Sequence, residues 1–138
     1  MLAVTGDDGW PYAVPLSYAY SEGKLLFHCA KEGHKLDALE RDPRASFCVI
    51  DRDQVVPGEF TTYYRSVILF GTVRVLRSPA ELEAAARTLT DKYCPLEVPE
   101  AVDREITGAL GRMYILEMEV SHMTGKQARE LVKEGETI

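Results

Sequence analysis

The sequence predicts a mainly β fold with helices: a small β-barrel of about six antiparallel strands carrying three to four helices. Three observations predict it. Two turn signals, Gly6-Asp7-Asp8-Gly9 and Ser21-Glu22-Gly23, join β-rich runs closely enough for hairpins. The run Phe60–Leu76 is rich in Thr, Tyr, Val and Ile, residue types that suit a pleated, half-buried surface. Met113–Val120 sets Leu116, Met118 and Val120 on one face and Glu117 and Glu119 on the other, the period of a strand. Neither GxGxxG nor a phosphate-binding GxxxxGK pattern occurs, so nothing supports a doubly wound nucleotide-binding sheet.

The elements follow in order. Met1–Thr5 reads as a strand, turned by Gly6–Gly9 into a second, Tyr12–Tyr20. Ser21-Glu22-Gly23 turns the chain into Lys24–Cys29. A helix over about Lys35–Glu40 stops before Asp42-Pro43, because proline disfavours helical backbone in the residue before it. Arg44–Ile50 is the next strand and the polar Asp51–Glu59 a loop. Phe60–Leu76 is one long strand, or two joined at Gly71. Ser78-Pro79 then opens a helix running to about Lys92, with Ser at the N-cap, Pro at the first helical position and Glu81 in the first turn. A further helix spans Pro99–Leu110, Met113–Val120 is the last strand, and Lys126–Lys133 forms a short terminal helix.

With 138 residues the chain makes one domain with room for a core. Sixteen basic against 22 acidic residues leave a net charge of −6, which argues against general binding of nucleic acid or an acidic membrane. Cys29, Cys48 and Cys94 are odd in number and form no CxxC pair, which argues against a disulfide framework and a zinc site and suits a reducing, cytoplasmic setting. No stretch approaches the roughly 20 apolar residues of a membrane span, and no signal-peptide pattern opens the chain. No metal site, catalytic triad or carboxylate pair is legible.

Against this acidic background Phe27–Leu39, FHCAKEGHKLDAL, stands out. Lys31, His34 and Lys35 crowd a loop and the first turn of a helix, where the helix dipole prefers negative charge. An anion would offset that cost. Exposed amides at a helix start bind phosphate, and Gly33 lets the backbone come close. The segment reads as a phosphate cradle, its bland alternative being a solvated helix start.

Four segments together carry a resemblance: Asp7–Tyr18 (DDGWPYAVPLSY), FHCAKEGHKLDAL, Thr61–Val67 (TTYYRSV) and Met123–Ala128 (MTGKQA). In this order they resemble the FMN-binding split barrels of the pyridoxamine 5′-phosphate oxidase-like superfamily, and within it the nitroimidazole-resistance (Nim)-like branch. The resemblance implies a homodimer with an FMN in each of two interface clefts. It implies that Val14, Pro15, Leu16 and Ser17 line the flavin ring, and that His28, Cys29, Ala30, Lys31, His34 and Lys35 hold the ribityl phosphate. Arg65 and Ser66 reach FMN or the partner protomer on this reading, or else Arg65 is a surface residue. Lys126, taken to stand at a helix start, supplies a second charge to the phosphate. His28 faces the cleft or is a satisfied barrel histidine, and His122 is structural.

The family's pyridoxamine oxidases end in a Trp- and Arg-containing signature for substrate phosphate. Here Ala128–Lys133 stands in its place and the only tryptophan is Trp10, which argues against pyridoxamine phosphate oxidation. Relatives also carry an N-terminal helix that this chain, as given, lacks. The implied activity is that of a small oxidoreductase passing electrons from reduced flavin to a small planar acceptor such as a nitroaromatic. The alternatives are a non-catalytic flavin-sensing module, or a split barrel handling haem or deazaflavin.

Overall fold

The computed structural model describes residues 1–133. Seven strands and four helices appear in the order β1 (Leu2–Thr5), β2 (Pro11–Val14), β3 (Ala19–Ser21), β4 (Lys24–Ala30), α1 (His34–Arg41), β5 (Arg44–Val56), β6 (Thr61–Leu76), α2 (Pro79–Tyr93), α3 (Pro99–Ala109), β7 (Met113–Gln127) and α4 (Arg129–Lys133). All the strands belong to one antiparallel sheet ordered β2-β1-β5-β6-β7-β4-β3. The mainly β fold with helices is therefore as expected.

The curvature follows from connectivity. Seven strands laid flat at about 4.8 Å spacing would hold the edge strands β2 and β3 about 29 Å apart. Yet only Pro15–Tyr18 separates them in the chain, and the steps from Val14 to Ala19 reach at most about 18 Å. The sheet must curl until its edges approach, leaving a seam that Pro15–Tyr18 crosses. This corrects the single strand expected over Tyr12–Tyr20. Pro15 has no N–H to donate, and the chain at that point passes from one edge of the sheet to the other.

Two buried layers hold the barrel. On β4, Leu25, Phe27 and Cys29 face the interior, where they pack with Leu2, Val4, Phe47, Leu69, Leu116 and Met118. The Phe27 and Phe47 rings lie 4.8 Å apart, tilted, a favourable aromatic arrangement. Leu26, on the opposite face of β4, joins Ile115 under α2 and α3, with Leu82, Ala86, Leu89 and Ile106. Helix α1 adds Leu36, Ala38 and Leu39 to the barrel layer.

Three further boundaries differ from expectation. Asp51–Val56 is strand, not loop: it extends β5 against Thr61–Arg65 across a 3-10 turn at Pro57–Glu59. The last strand runs on to Gln127, pairing along β6 past a bulge between Phe70 and Gly71. The terminal helix accordingly begins at Arg129 and not at Lys126. Phe60–Leu76 is one continuous strand from Thr61.

The start of α2 is as read. The Ser78 hydroxyl accepts from the Glu81 N–H at 3.4 Å and donates to Glu81 Oε2 at 2.7 Å, with Pro79 in the first turn. Ser78→Ala is expected to cost about 1 kcal/mol. Urea unfolding should show a lower midpoint with an unchanged m-value; an unchanged midpoint would mean the cap contributes nothing.

Candidate functional site

The α1 start is built by its glycine. Gly33 sits at φ 130°, ψ 162°, a conformation open to glycine alone, and no side chain caps the helix. The Leu36 and Asp37 N–H groups both turn back to the Gly33 carbonyl, at 2.9 and 3.3 Å. The amides of His34 and Lys35 are left among the unsatisfied donors of a helix N-terminus. Burial of Leu36, Ala38 and Leu39 in the barrel layer fixes the direction in which they point.

The three basic side chains of the cradle diverge. Lys31 lies on the exposed loop with its ammonium 5.3 Å from the centre of the Tyr114 ring. The Arg77 guanidinium lies 5.2 Å from the same ring and donates to Glu40 at 2.6 Å. His34 leans the other way, toward Asp7, with Nδ1 3.5 Å from a carboxylate oxygen, and its ring is 6.4 Å from that of Tyr12. Asp7 is also held by Arg41 at 2.7 Å. Lys35, half-buried between them, has no hydrogen bond or ion pair with a described residue, and its charge is felt by the Cys29 thiol. Among the described residues Lys35 thus has no counter-charge beside the free amides.

Cys29 itself points into the barrel. Burial pushes its thiol up from the ordinary value, and the nearby Lys35 charge only partly offsets this. With less thiolate at neutral pH, Cys29 is expected to stay unlabelled by a disulfide reagent while the exposed Cys94 reacts quickly. Rapid labelling of Cys29 in the folded protein would contradict that packing. Ala30, the last residue of β4, is exposed next to the loop.

His28 lies on the opposite face of β4 from Cys29. It borders a groove of about 250 Å³ beneath α2 and α3, lined by Ala86, Leu89, Ile106, Ala109 and Met113, with Thr90 and Glu105 also present. The structure therefore places His28 on the helical layer and not inside the barrel. Val14 closes the β2 ladder opposite Leu2. Pro15, Leu16 and Ser17 lie beyond that ladder, and their backbone groups make no hydrogen bond with a described residue.

Arg65, Ser66 and Lys126 are brought together, but far from the cradle. Ser66 is directly opposite Lys126 in the β6–β7 ladder and Arg65 opposite Gln127. Arg65 donates to Gln127 at 3.3 Å and to Asp51 at 3.1 Å. From Ser66 to Leu76, beside Arg77, is about 33 Å along the strand. Lys126 is not at a helix start: its backbone is tied into the strand ladder, so the argument from an opposing helix dipole does not apply to it. Its exposed charge instead marks the far end of the sheet.

Sequence reasoning overlooked Asp7, Tyr12, Arg77 and Tyr114, which surround the cradle on both sides. Asp7 was legible only as a turn residue, and Arg77 and Tyr114 come from strand ends distant in sequence. His122 stacks on Phe70 with ring centres 6.0 Å apart. Among the described residues no cluster of His, Cys, Asp and Glu is arranged to hold a metal ion, and no helix is long and apolar enough to cross a membrane.

Comparison with known proteins adds the following. The pattern of the family described as pyridoxamine 5′-phosphate oxidase matches residues 1–127. No curated protein matches the chain significantly. Among solved structures, a candidate 5-nitroimidazole antibiotic resistance protein from Bacteroides thetaiotaomicron is similar with a TM-score of 0.73 at 21% identity, over 90% of this chain and 73% of that one. A FAD and heme binding protein from Mycobacterium smegmatis gives 0.72 at 22% identity, over 93% of this chain and 64% of that one. An F420 reductase gives 0.60 at 23% identity, over 89% and 86%.

Proposed function

The chain belongs to the pyridoxamine 5′-phosphate oxidase family, and from that membership we propose that it is an FMN-binding oxidoreductase serving a small planar acceptor such as a nitroaromatic. The observation that carries the proposal is the uncapped start of α1, where the His34 and Lys35 amides and the Lys35 side chain have no hydrogen-bond or ion-pair partner among the described residues. A phosphate monoester fits this donor set: it is dianionic, rich in acceptors, and favoured by the helix dipole. Lys35 and the His34 and Lys35 amides would hold the phosphate, with Lys31 on the adjoining loop adding charge. The N–H and C=O groups of Leu16 and Ser17, unpaired among the described residues, would meet the ring edge with the C=O of Pro15; that edge alternates donors and acceptors.

Bound flavin supplies the redox chemistry, and the chain supplies binding, orientation and electrostatics. Its residues fix the phosphate at one end and the polar ring edge at the other. The likeness to a candidate nitroimidazole resistance protein supports the nitroaromatic acceptor.

The protein acts on this reading as a cytoplasmic homodimer. Ile50, Ile68 and Phe70 share the outer face of β5 and β6 and are 61%, 36% and 42% exposed, an apolar surface suited to a second copy. The distance between the cradle and the Arg65–Ser66–Lys126 cluster supports the same arrangement. One ligand would meet both only where two copies bring opposite ends of the sheet together.

Protein loaded with FMN is tested for NAD(P)H-dependent reduction of nitroaromatic compounds. Turnover supports the proposal; tight FMN binding with no turnover on any acceptor removes the enzyme claim and leaves a flavin-sensing module. A second reading, haem, draws on the His28 imidazole, which has no partner among the described residues and lies beside an apolar groove, and on the likeness to a FAD and heme binding protein. A Soret band in place of flavin bands would decide for it. Deazaflavin, suggested by the likeness to an F420 reductase, is separated from FMN by the released cofactor's spectrum.

A further inference from the structure

The crossing of the seam is held by the end of α2. Tyr18 ends the crossing segment, and its backbone has no strand partner. The Tyr18 N–H donates to the Tyr93 hydroxyl oxygen at 2.9 Å, and the same hydroxyl donates back to the Tyr18 carbonyl at 2.8 Å. One phenol thus satisfies both backbone groups of one residue. The Lys92 ammonium donates to the same carbonyl at 2.6 Å and lies 3.6 Å from the centre of the Tyr18 ring. Lys92 stands in the last turn of α2, where the helix dipole favours a cation. On its other side the Tyr18 ring packs 5.1 Å from Phe47 in the barrel layer.

Pro15–Ser17 is therefore fixed at both ends. The ladder between β1 and β2 holds it at Val14, and α2 holds it at Tyr18. Between these anchors the backbone donors and acceptors make no hydrogen bond with a described residue. Unpaired peptide groups on a free loop would be satisfied by water in many conformations. On a segment tied at both ends they form a fixed pattern.

We propose that Tyr93 and Lys92 are positioning residues that hold the seam segment Pro15–Ser17 in the conformation that reads a planar heteroaromatic ring edge. The inference rests on the flavin reading above, and neither residue touches the ligand. Affinity for the ring then depends on the last turn of a helix that lies outside the barrel. Tyr93→Phe removes both bonds of the hydroxyl while keeping the ring; Lys92→Met removes the charge while keeping the stem.

The test compares wild type, Tyr93→Phe, Lys92→Met, Lys92→Arg and the control Tyr20→Phe, whose exposed ring makes no such contact. Amide exchange is read without added flavin, and FMN affinity is read by flavin fluorescence. Tyr93→Phe should speed exchange at the Tyr18 amide, which donates to the lost hydroxyl, without changing β4 or α1, and should weaken FMN binding about five- to tenfold, the scale of a hydrogen bond's net contribution. Lys92→Met should shift both readouts the same way, while Lys92→Arg and Tyr20→Phe stay near wild type. Unchanged exchange at Tyr18 in both Tyr93→Phe and Lys92→Met overturns the inference. So does faster exchange with wild-type FMN affinity. A wild-type protein that takes up no FMN shows as absent binding in every variant, a pattern that overturns the flavin reading itself and is distinct from either result.

Discussion

Lys35→Ala is expected to weaken FMN binding by about 1.5–3 kcal/mol, roughly ten- to 150-fold in the dissociation constant, because it removes a charge-assisted contact to phosphate. The effect is expected to be larger than that of removing either neighbouring cation. Lys31 stacks against Tyr114, and His34 is already engaged by Asp7, which Arg41 also binds. Lys35 alone of the three has no such contact with a described residue. Its charge is also the easiest to lose without structural damage, since the buried residues of α1 are Leu36, Ala38 and Leu39. Fluorescence titration with FMN checks this, with free riboflavin as the comparison. Riboflavin lacks the phosphate, so its affinity should hardly change in the variant. An equal loss for both ligands would mean that Lys35 supports the ring and not the phosphate. Unchanged FMN affinity would refute the cradle.

Gly71→Ala is expected to destabilise the fold by about 3 kcal/mol, an overpacking cost that neighbouring side chains cannot relieve. Gly71 pairs with Val120 just past the bulge, where β6 and β7 approach closely. A Cβ at this position would fall well inside the contact distance of the Glu119 carbonyl oxygen, with the Val120 backbone also near. The obstacle is backbone, so relief requires β7 itself to shift. That shift would disturb one of the two longest pairings in the sheet, which also carries Lys126 opposite Ser66. Thermal or urea unfolding should show the loss as a fall in the midpoint of about 10 °C on heating. A variant as stable as wild type would mean that the bulge relaxes at no cost.

Sequence carried the architecture where side chains decide it. The hairpin turns, the Ser78-Pro79 helix start and the alternating Met113–Val120 run each follow local rules, and each appears in the structure. The misses arise where backbone pairing decides. Asp51–Val56 is polar enough to read as loop, yet a ladder with Thr61–Arg65 needs no apolar side chains to form. Lys126 was assigned to a helix start because Thr124-Gly125 reads as a break, while the strand continues through both residues opposite Ile68 and Val67. The split of Tyr12–Tyr20 follows from the closing of the sheet, a property of the whole topology that no window of residues contains.

The candidate site divides in the same way. The cradle was legible because its residues are contiguous and their charge opposes the helix dipole. Asp7 and Tyr12 on one flank, and Arg77 and Tyr114 on the other, come from distant parts of the chain and meet only on folding. The anchoring of Tyr18 by Lys92 and Tyr93 likewise joins residues about 75 positions apart, and no spacing rule links them.

The central claim is that this barrel holds FMN by its phosphate and ring edge. The most direct measurement is the visible absorption spectrum of the purified protein, followed by identification of the cofactor released on denaturation, with FMN added first if the protein is colourless. The account predicts flavin bands and released FMN at up to one per chain. A protein that neither carries flavin nor takes up added FMN would contradict it.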